Sequence, residues 1–304
     1  MILFPSHPSF PRQPDPSFEA EIEAAKAAGF KIGFVDVDQE IFVRSRIPCL
    51  YRGWIVKPAW YHDLYVQEPK LIVSPGEYNN SYNFPTWYDQ LIRVSSSQSV
   101  TPRSVWVSGT QATFMVNGEF QHEASLVLDK IGWLSGGPLI IKDWVKSRKH
   151  EWFDACFIPD PTDLENLRRV ITNFLNGQGD DLAGGLVFRE YVKFKPIGTH
   201  PQSGLPLVNE HRFFVFKGQI FYSAPYWNEG WYTEGLGIDE LPDYPDKKVI
   251  IDLVPHIKSN FFAIDVAQKE DGGWMVIEVN DGGTAEPPGG GSVPEFYKAL
   301  RELF

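Results

Sequence analysis

The stretch FFAIDVAQKEDGGWMVIEVN, residues 261–280, decides the fold. Two apolar runs, 261–267 and 274–280, flank Glu270-Asp271-Gly272-Gly273. Asp-Gly favours a two-residue type I′ turn, because both central positions need positive φ. A turn at Asp271-Gly272 sets Asp265 directly opposite Glu278, with Asn280 on the same face two residues on. Opposed residues of such a ladder have Cβ atoms about 4.5–5.5 Å apart, and like charges there repel. The neighbours Phe262, Ile264, Val266, Ile277 and Val279 are apolar. Two carboxylates in that setting need a proton or a cation. A hard cation with oxygen ligands answers the need, and Mg²⁺ completed by ATP phosphates is its commonest form. The other reading is a solvated face on an edge hairpin.

Working outward, strands are expected at 185–194, 211–216 and 219–224. A helix at 293–303 follows, begun by a Ser292/Glu295 capping box. Upstream, 138–145 reads as a strand, 123–134 as a helix, and 162–175 as a helix with a Thr162/Glu165 capping box. The apolar stripe of that last helix is Leu164, Leu167, Ile171 and Phe174. At the N-terminus, strands at 1–5 and 31–37 enclose a helix capped by Ser17, striped by Phe18, Ile22 and Ala25, and ended at Gly29. A helix after Pro58 and a strand at 70–74 complete a small α/β lobe. The polar segment 95–104 reads as a linker, dividing the chain into residues 1–100 and 101–304.

The 304 residues are 43% hydrophobic and 22% charged, the balance of a chain folded throughout. The net charge of −11 argues against a nucleic-acid or membrane-surface binder, which needs a basic face. Two cysteines in this length are no disulfide framework, and the expected compartment is the reducing cytoplasm. No apolar run approaches the roughly 20 residues of a membrane span. A Walker A sequence, His-Glu-x-x-His and Gly-x-Ser-x-Gly are all missing, which removes support for a P-loop enzyme, a zinc hydrolase and an esterase.

Within this acidic chain, PLIIKDWVKSRKH at 138–150 is a basic island: Lys142, Lys146, Arg148 and Lys149 follow an apolar strand. It reads either as a triphosphate site or as a solvated loop. Arg212 heads the apolar strand Arg-Phe-Phe-Val-Phe, and Phe188-Arg189-Glu190-Tyr191-Val192 is another β-run carrying charge. Arg52, in Tyr-Arg-Gly-Trp, would bind a substrate carboxylate or phosphate, or pair with an acid at a lobe interface. Aromatic residues are dense, and the loop 225–235, with Tyr226, Trp227, Trp231 and Tyr232, would stack on a sugar or peptide ring if exposed. The Gly-rich stretch 282–291 reads as a flexible connector or an anion cradle before a helix.

In order and spacing these segments resemble the ATP-grasp superfamily. YRGWIVKP (51–58), IIKDWVKSRKHEW (140–152), GGLVFREYV (184–192) and VIEVNDG (276–282) resemble its clade named for one arginine and two lysines. The resemblance implies an α+β architecture, with two subdomains gripping a nucleotide behind the N-terminal lobe. It implies that Lys142 contacts the nucleotide and that Lys146 is the second lysine, nearer the β- and γ-phosphates. Arg148 is implied as a further phosphate contact, and Glu190, Tyr191 and Val192 as the hinge whose backbone reads adenine. Arg212 is implied to face the transferred phosphate, and Asp265, Glu278 and Asn280 to hold the metal. The glycine-rich phosphate loop usual in the superfamily is replaced by Lys146-Ser147-Arg148-Lys149.

The expected function is an ATP- and Mg²⁺-dependent carboxylate–amine ligase working through an acyl-phosphate on a small molecule or peptide. The ligase step rests on the resemblance alone. The rivals are a phosphotransferase acting on a hydroxyl or nucleic-acid end, and a binding module that uses its aromatic surface.

Overall fold

The computed structural model describes residues 1–94, 100–117, 119–120, 124–134, 136–200, 202–227, 244–288 and 292–304. Trp231, Tyr232 and most of the aromatic loop lie outside these residues, as do parts of the 95–104 segment and of the Pro/Gly run at 287–291.

The N-terminal strand Ile2–His7 runs parallel to Ile32–Val35 and Leu50–Tyr51 and antiparallel to Phe10–Pro14. Helix Glu19–Ala27 buries Ile22 and Ala25, with Phe18 just before it. Its entry is capped by Asp15 rather than Ser17: a 3₁₀ turn precedes the helix, and Asp15 Oδ1 accepts the Ser17 N–H at 2.9 Å. Helix Pro58–Gln67 forms as expected. The expected strand at 70–74 is reduced to one bridge between Leu71 and Cys49. Ser74 and Glu77 form a reciprocal capping box that starts helix Pro75–Tyr82 instead. Helix Phe84–Ile92 follows.

Two four-stranded antiparallel sheets build the rest. One has the order Ser104–Ser108, Gly185–Glu190, Leu139–Asp143, Phe157–Ile158. Helix Leu164–Gln178 lies in its core through Leu167, Val170, Ile171, Phe174 and Leu175. Its cap is Asp163, which accepts from Asn166 N–H; Thr162 bonds Asp160 instead of closing the expected box, and Leu164 stays exposed.

The other sheet has the order Gln219–Pro225, Glu210–Phe216, Phe261–Gln268, Trp274–Asp281. Every residue of Phe261–Gln268 is buried, because both faces of this strand are covered. Phe262, Ile264 and Val266 pack toward helix Phe84–Ile92. Phe261 and Ala263 share a core with the N-terminal strands and with helix Val293–Leu303. Along this second face the apolar residues give way to Asp265, so the N-terminal lobe abuts the polar end of the sheet. Cys49 and Cys156 are buried free thiols. Among the described residues no helix is long and apolar enough to cross a membrane.

Candidate functional site

Asp265 is the Cα partner of Glu278, as the sequence predicts, but by a different route. Gly272 N–H bonds Lys269 O at 2.9 Å, Lys269 N–H bonds Gly273 O at 2.7 Å, and Gly272 has φ +87°. The turn is therefore a three-residue loop, Glu270-Asp271-Gly272, with glycine in the left-handed position, not a two-residue Asp-Gly turn. That shifts the ladder by one residue, to Val266 opposite Val276. A β-bulge then inserts Ile277 and restores the expected register at Asp265 and Glu278. The carbonyl of Ile277 accepts from Arg189 Nη1 at 2.5 Å, while Nη2 donates to Thr101 Oγ1 at 3.0 Å. Burial brings the Arg189 guanidinium down to about 10. Arg189 thus supports the bulge on which the acid register depends. Sequence reasoning noticed it only as a charge in a β-run.

The acids do not stand alone. Arg212 meets Asp265 with both ends of its fork, Nε to Oδ1 at 2.7 Å and Nη2 to Oδ2 at 2.8 Å. Its Nη1 donates to Glu286 O at 3.0 Å. Burial works against the arginine's charge, but Asp265 overrides it and holds the guanidinium protonated. Lys142 Nζ lies 2.5 Å from Glu278 Oε1. Burial alone would raise the Glu278 carboxyl; the Lys142 ammonium lies against it, and the group is held below its ordinary value. Asn280 Nδ2 donates to Asp265 Oδ2 at 3.3 Å, which leaves its amide oxygen as a ligand.

A cavity of about 190 Å³ opens between the two sheets. Lys142, Lys149, Glu278 and Glu210 line its polar side; Ile140, Tyr191, Val192, Leu205 and Ile277 form apolar walls. Glu190 lines it too and pairs with Arg103, Nη1 to Oε1 at 3.3 Å. The backbone N–H groups of Glu190 and Tyr191 are committed to Arg103 O and Pro138 O. Arg212 lies behind Glu210 on the same strand face.

The basic island is divided by a turn. The lysine strand ends at Asp143, whose Oδ1 accepts the N–H of Val145 and of Lys146. The chain folds back so that Ser147 bridges Lys142. Lys146 is exposed and does not line the cavity. Arg148 turns away to a bidentate pair with Glu151, at 2.6 and 2.5 Å, and packs over Gly177. The second cavity lysine is Lys149. Its signal was available: Asp143 is a turn former, and a reversal there puts residues 147 and 149, rather than 146 and 148, on the face of Lys142.

Arg52 does not face the cavity. It is 2% exposed, and its guanidinium is held by Glu21 Oε2, through Nη2 at 2.7 Å and Nε at 3.2 Å, and by Gly282 O and Ala285 O at 2.6 and 2.7 Å. The substrate-binding reading fails for it; the lobe-interface ion pair is what forms.

The set Asp265, Glu278 and Asn280 suits Mg²⁺. Its donors are hard oxygens, and that ion takes only one or two protein carboxylates, with phosphates and water completing the octahedron. Among the described residues no three His, Cys, Asp or Glu side chains gather as a self-sufficient metal cage.

Residues 130–300 match the family model of an ATP-grasp domain, family 3 of the clade named for one arginine and two lysines. No curated protein sequence matches the chain. Among solved structures, D-cycloserine synthetase DcsG is 13% identical with a TM-score of 0.59, over 99% of this chain and 98% of that one. ATP-grasp ligase PsnB, complexed with minimal precursor, Mg and ADP, is 12% identical at TM-score 0.56, over 98% and 96%. Macrocyclase MdnC bound with precursor peptide MdnA, from Microcystis aeruginosa MRC, is 12% identical at 0.52, over 100% and 98%. At these identities the likeness is one of fold, and it carries the expected α+β ATP-grasp architecture.

Proposed function

Because the chain belongs to family 3 of this ATP-grasp clade, we propose that it is an ATP- and Mg²⁺-dependent ligase joining a carboxylate to an amine. The observation that carries this reading is the meeting of Asp265, Glu278 and Asn280 with Lys142 and Arg212 beside the cavity. In this reading residues 101–304 bind the nucleotide and residues 1–100 form the preceding lobe. The solved neighbours that are ligases, with small-molecule or peptide substrates in their names, support the reaction class.

Adenine would lie against Ile140, Leu205 and Ile277, with its edge at Val192, since the Glu190 and Tyr191 N–H groups are already bonded. The triphosphate would run toward Lys149, Lys142 and Arg212. Mg²⁺ bound by Asp265, Glu278 and Asn280 would supply charge neutralisation at the phosphates. Lys142 and Arg212 would exchange their carboxylates for phosphate oxygens as the nucleotide enters. A substrate carboxylate oxygen then attacks the γ-phosphorus, the β–γ bridge bond breaks, and ADP leaves. The amine attacks the acyl-phosphate carbonyl, phosphate departs, the nitrogen loses a proton to solvent, and an amide remains. The chain's contribution is positioning and fixed charge.

The test is ADP and free-phosphate release from Mg–ATP with pools of amino acids and peptides. One pool is expected to release both in equal amounts, and Glu278→Gln to cut the rate about 10²–10³-fold, the scale of losing one transition-state charge contact. Phosphate found attached to product would replace the ligase by a phosphotransferase. Nucleotide binding with no turnover in any pool would count against both.

A further inference from the structure

Three cations border the nucleotide cavity, and they are held in two ways. Lys142 and Arg212 each meet a carboxylate. Lys149 has no carboxylate within ion-pair distance among the described residues. It is cradled instead: its Nζ lies 3.1 Å from the Tyr226 hydroxyl and 4.8 Å from the ring centroids of both Tyr226 and Trp227. The same Tyr226 ring lies 4.8 Å from Arg212 Cζ.

The cradle is itself fixed. Tyr226 N–H donates to Glu210 O at 2.8 Å and Trp227 Nε1 to Glu210 Oε2 at 2.9 Å, and the two rings meet edge to face at 4.9 Å. Glu210 does not compete for the lysine. Burial, and then the charge of Asp265, push its carboxyl up to about 8, so near neutral pH it stays largely protonated.

An aromatic cradle differs physically from an ion pair. A ring face keeps a desolvated ammonium charged through its quadrupole without supplying a counter-anion that must later be displaced. Lys149 therefore keeps most of its hydrogen-bonding capacity for an incoming anion. The ring also ties the placement of Lys149 to that of Arg212, two cations carried by different segments of chain.

We propose that Tyr226, backed by Trp227, is a positioning residue that holds Lys149 and Arg212 at the spacing of a nucleotide's phosphate chain. It acts through the two cations. The inference rests on the nucleotide reading of the cavity.

The test compares a phosphate-bearing ligand with a phosphate-free one, using calorimetric titration of the full chain with Mg–AMPPNP and, separately, with adenosine. Tyr226→Leu removes ring and hydroxyl, and about a tenfold loss of AMPPNP affinity is expected. Tyr226→Phe keeps the ring and loses only the bond to Lys149, and about a threefold loss is expected. Adenosine affinity should stay within about twofold for both variants, since neither the ring nor its cations face the base. A purely structural role would lower adenosine and AMPPNP affinity together, and that result overturns the inference. So does AMPPNP binding by Tyr226→Leu as tight as by the wild type, which would leave the nucleotide reading intact. A wild type that binds neither ligand overturns the nucleotide reading and the inference with it. Tyr226→Phe keeps the question open to measurement even if Tyr226→Leu fails to fold.

Discussion

Arg52 with Glu21 and Arg212 with Asp265 are two buried arginine–carboxylate pairs that differ in what can reach them. Around Arg52 the chain supplies a carboxylate, two backbone carbonyls and the Phe296 ring, while Tyr297 Oη donates to the same Glu21 oxygen. No anion can enter, and the pair joins the N-terminal lobe to the segment after the acid hairpin. Arg212 is buried too and makes as good a pair, but it stands behind a cavity wall beside Lys142 and Lys149. A phosphate entering there offers it another partner. Burial and pairing alone do not separate a clamp from a working group; access to an exchange partner does.

The largest effect expected from this contrast is on stability. Arg52→Met would leave Glu21 and two carbonyls without their donor in a closed core, at a cost of roughly 3–5 kcal/mol. Chemical denaturation measures it, and the folded variant should bind Mg–AMPPNP like the wild type. A loss below about 1 kcal/mol, or a selective loss of nucleotide affinity, would break the distinction.

The next effect tests exchange directly. With Asp265 and Glu278 held by Arg212 and Lys142, Mn²⁺ alone should bind weakly and tighten about 5–150-fold once AMPPNP is present, the range of a 1–3 kcal/mol coupling. Lys142→Met frees Glu278, so Mn²⁺ alone should bind this variant more tightly than the wild type, although its nucleotide affinity falls. Electron paramagnetic resonance of free Mn²⁺ reads both quantities. Equal Mn²⁺ affinity of the two proteins without nucleotide would show that the ion pairs exclude nothing.

The smallest effect sharpens the lysine assignment. Lys146→Ala should change AMPPNP affinity by less than about twofold, as for an exposed side chain, whereas Lys149→Ala should lose about tenfold or more. The reverse ranking would mean that the turn at Asp143 does not select the face.

Much of the acid half of the site was legible in the sequence. Asp265, Glu278 and Asn280 sit on one hairpin, where period-2 alternation and a short turn confine the register to a few choices. Even so, the register emerged from two features that cancel. The glycine turn is one residue longer than read, and the bulge at Ile277 takes up the difference. The bulge depends on Arg189, whose partners Thr101 and Ile277 are distant in sequence. The cation half was harder. Reading 138–145 as a straight strand set Lys146 on the face of Lys142, because parity along a strand is unforgiving of a missed turn.

By itself, the sequence determined the strands and most of the helices, the acid hairpin with its facing carboxylates, and a resemblance that the family match bears out. These are matters of local periodicity and short-range spacing. Only the tertiary structure decided which cations meet which acids, that Arg52 is a clamp, and that Lys149 lies between Tyr226 and Trp227. Those outcomes depend on segments brought together across as many as 230 positions, as Arg52 and Gly282 are. There the free energy of burying a charge selects its partner, and no local pattern in the chain records that choice.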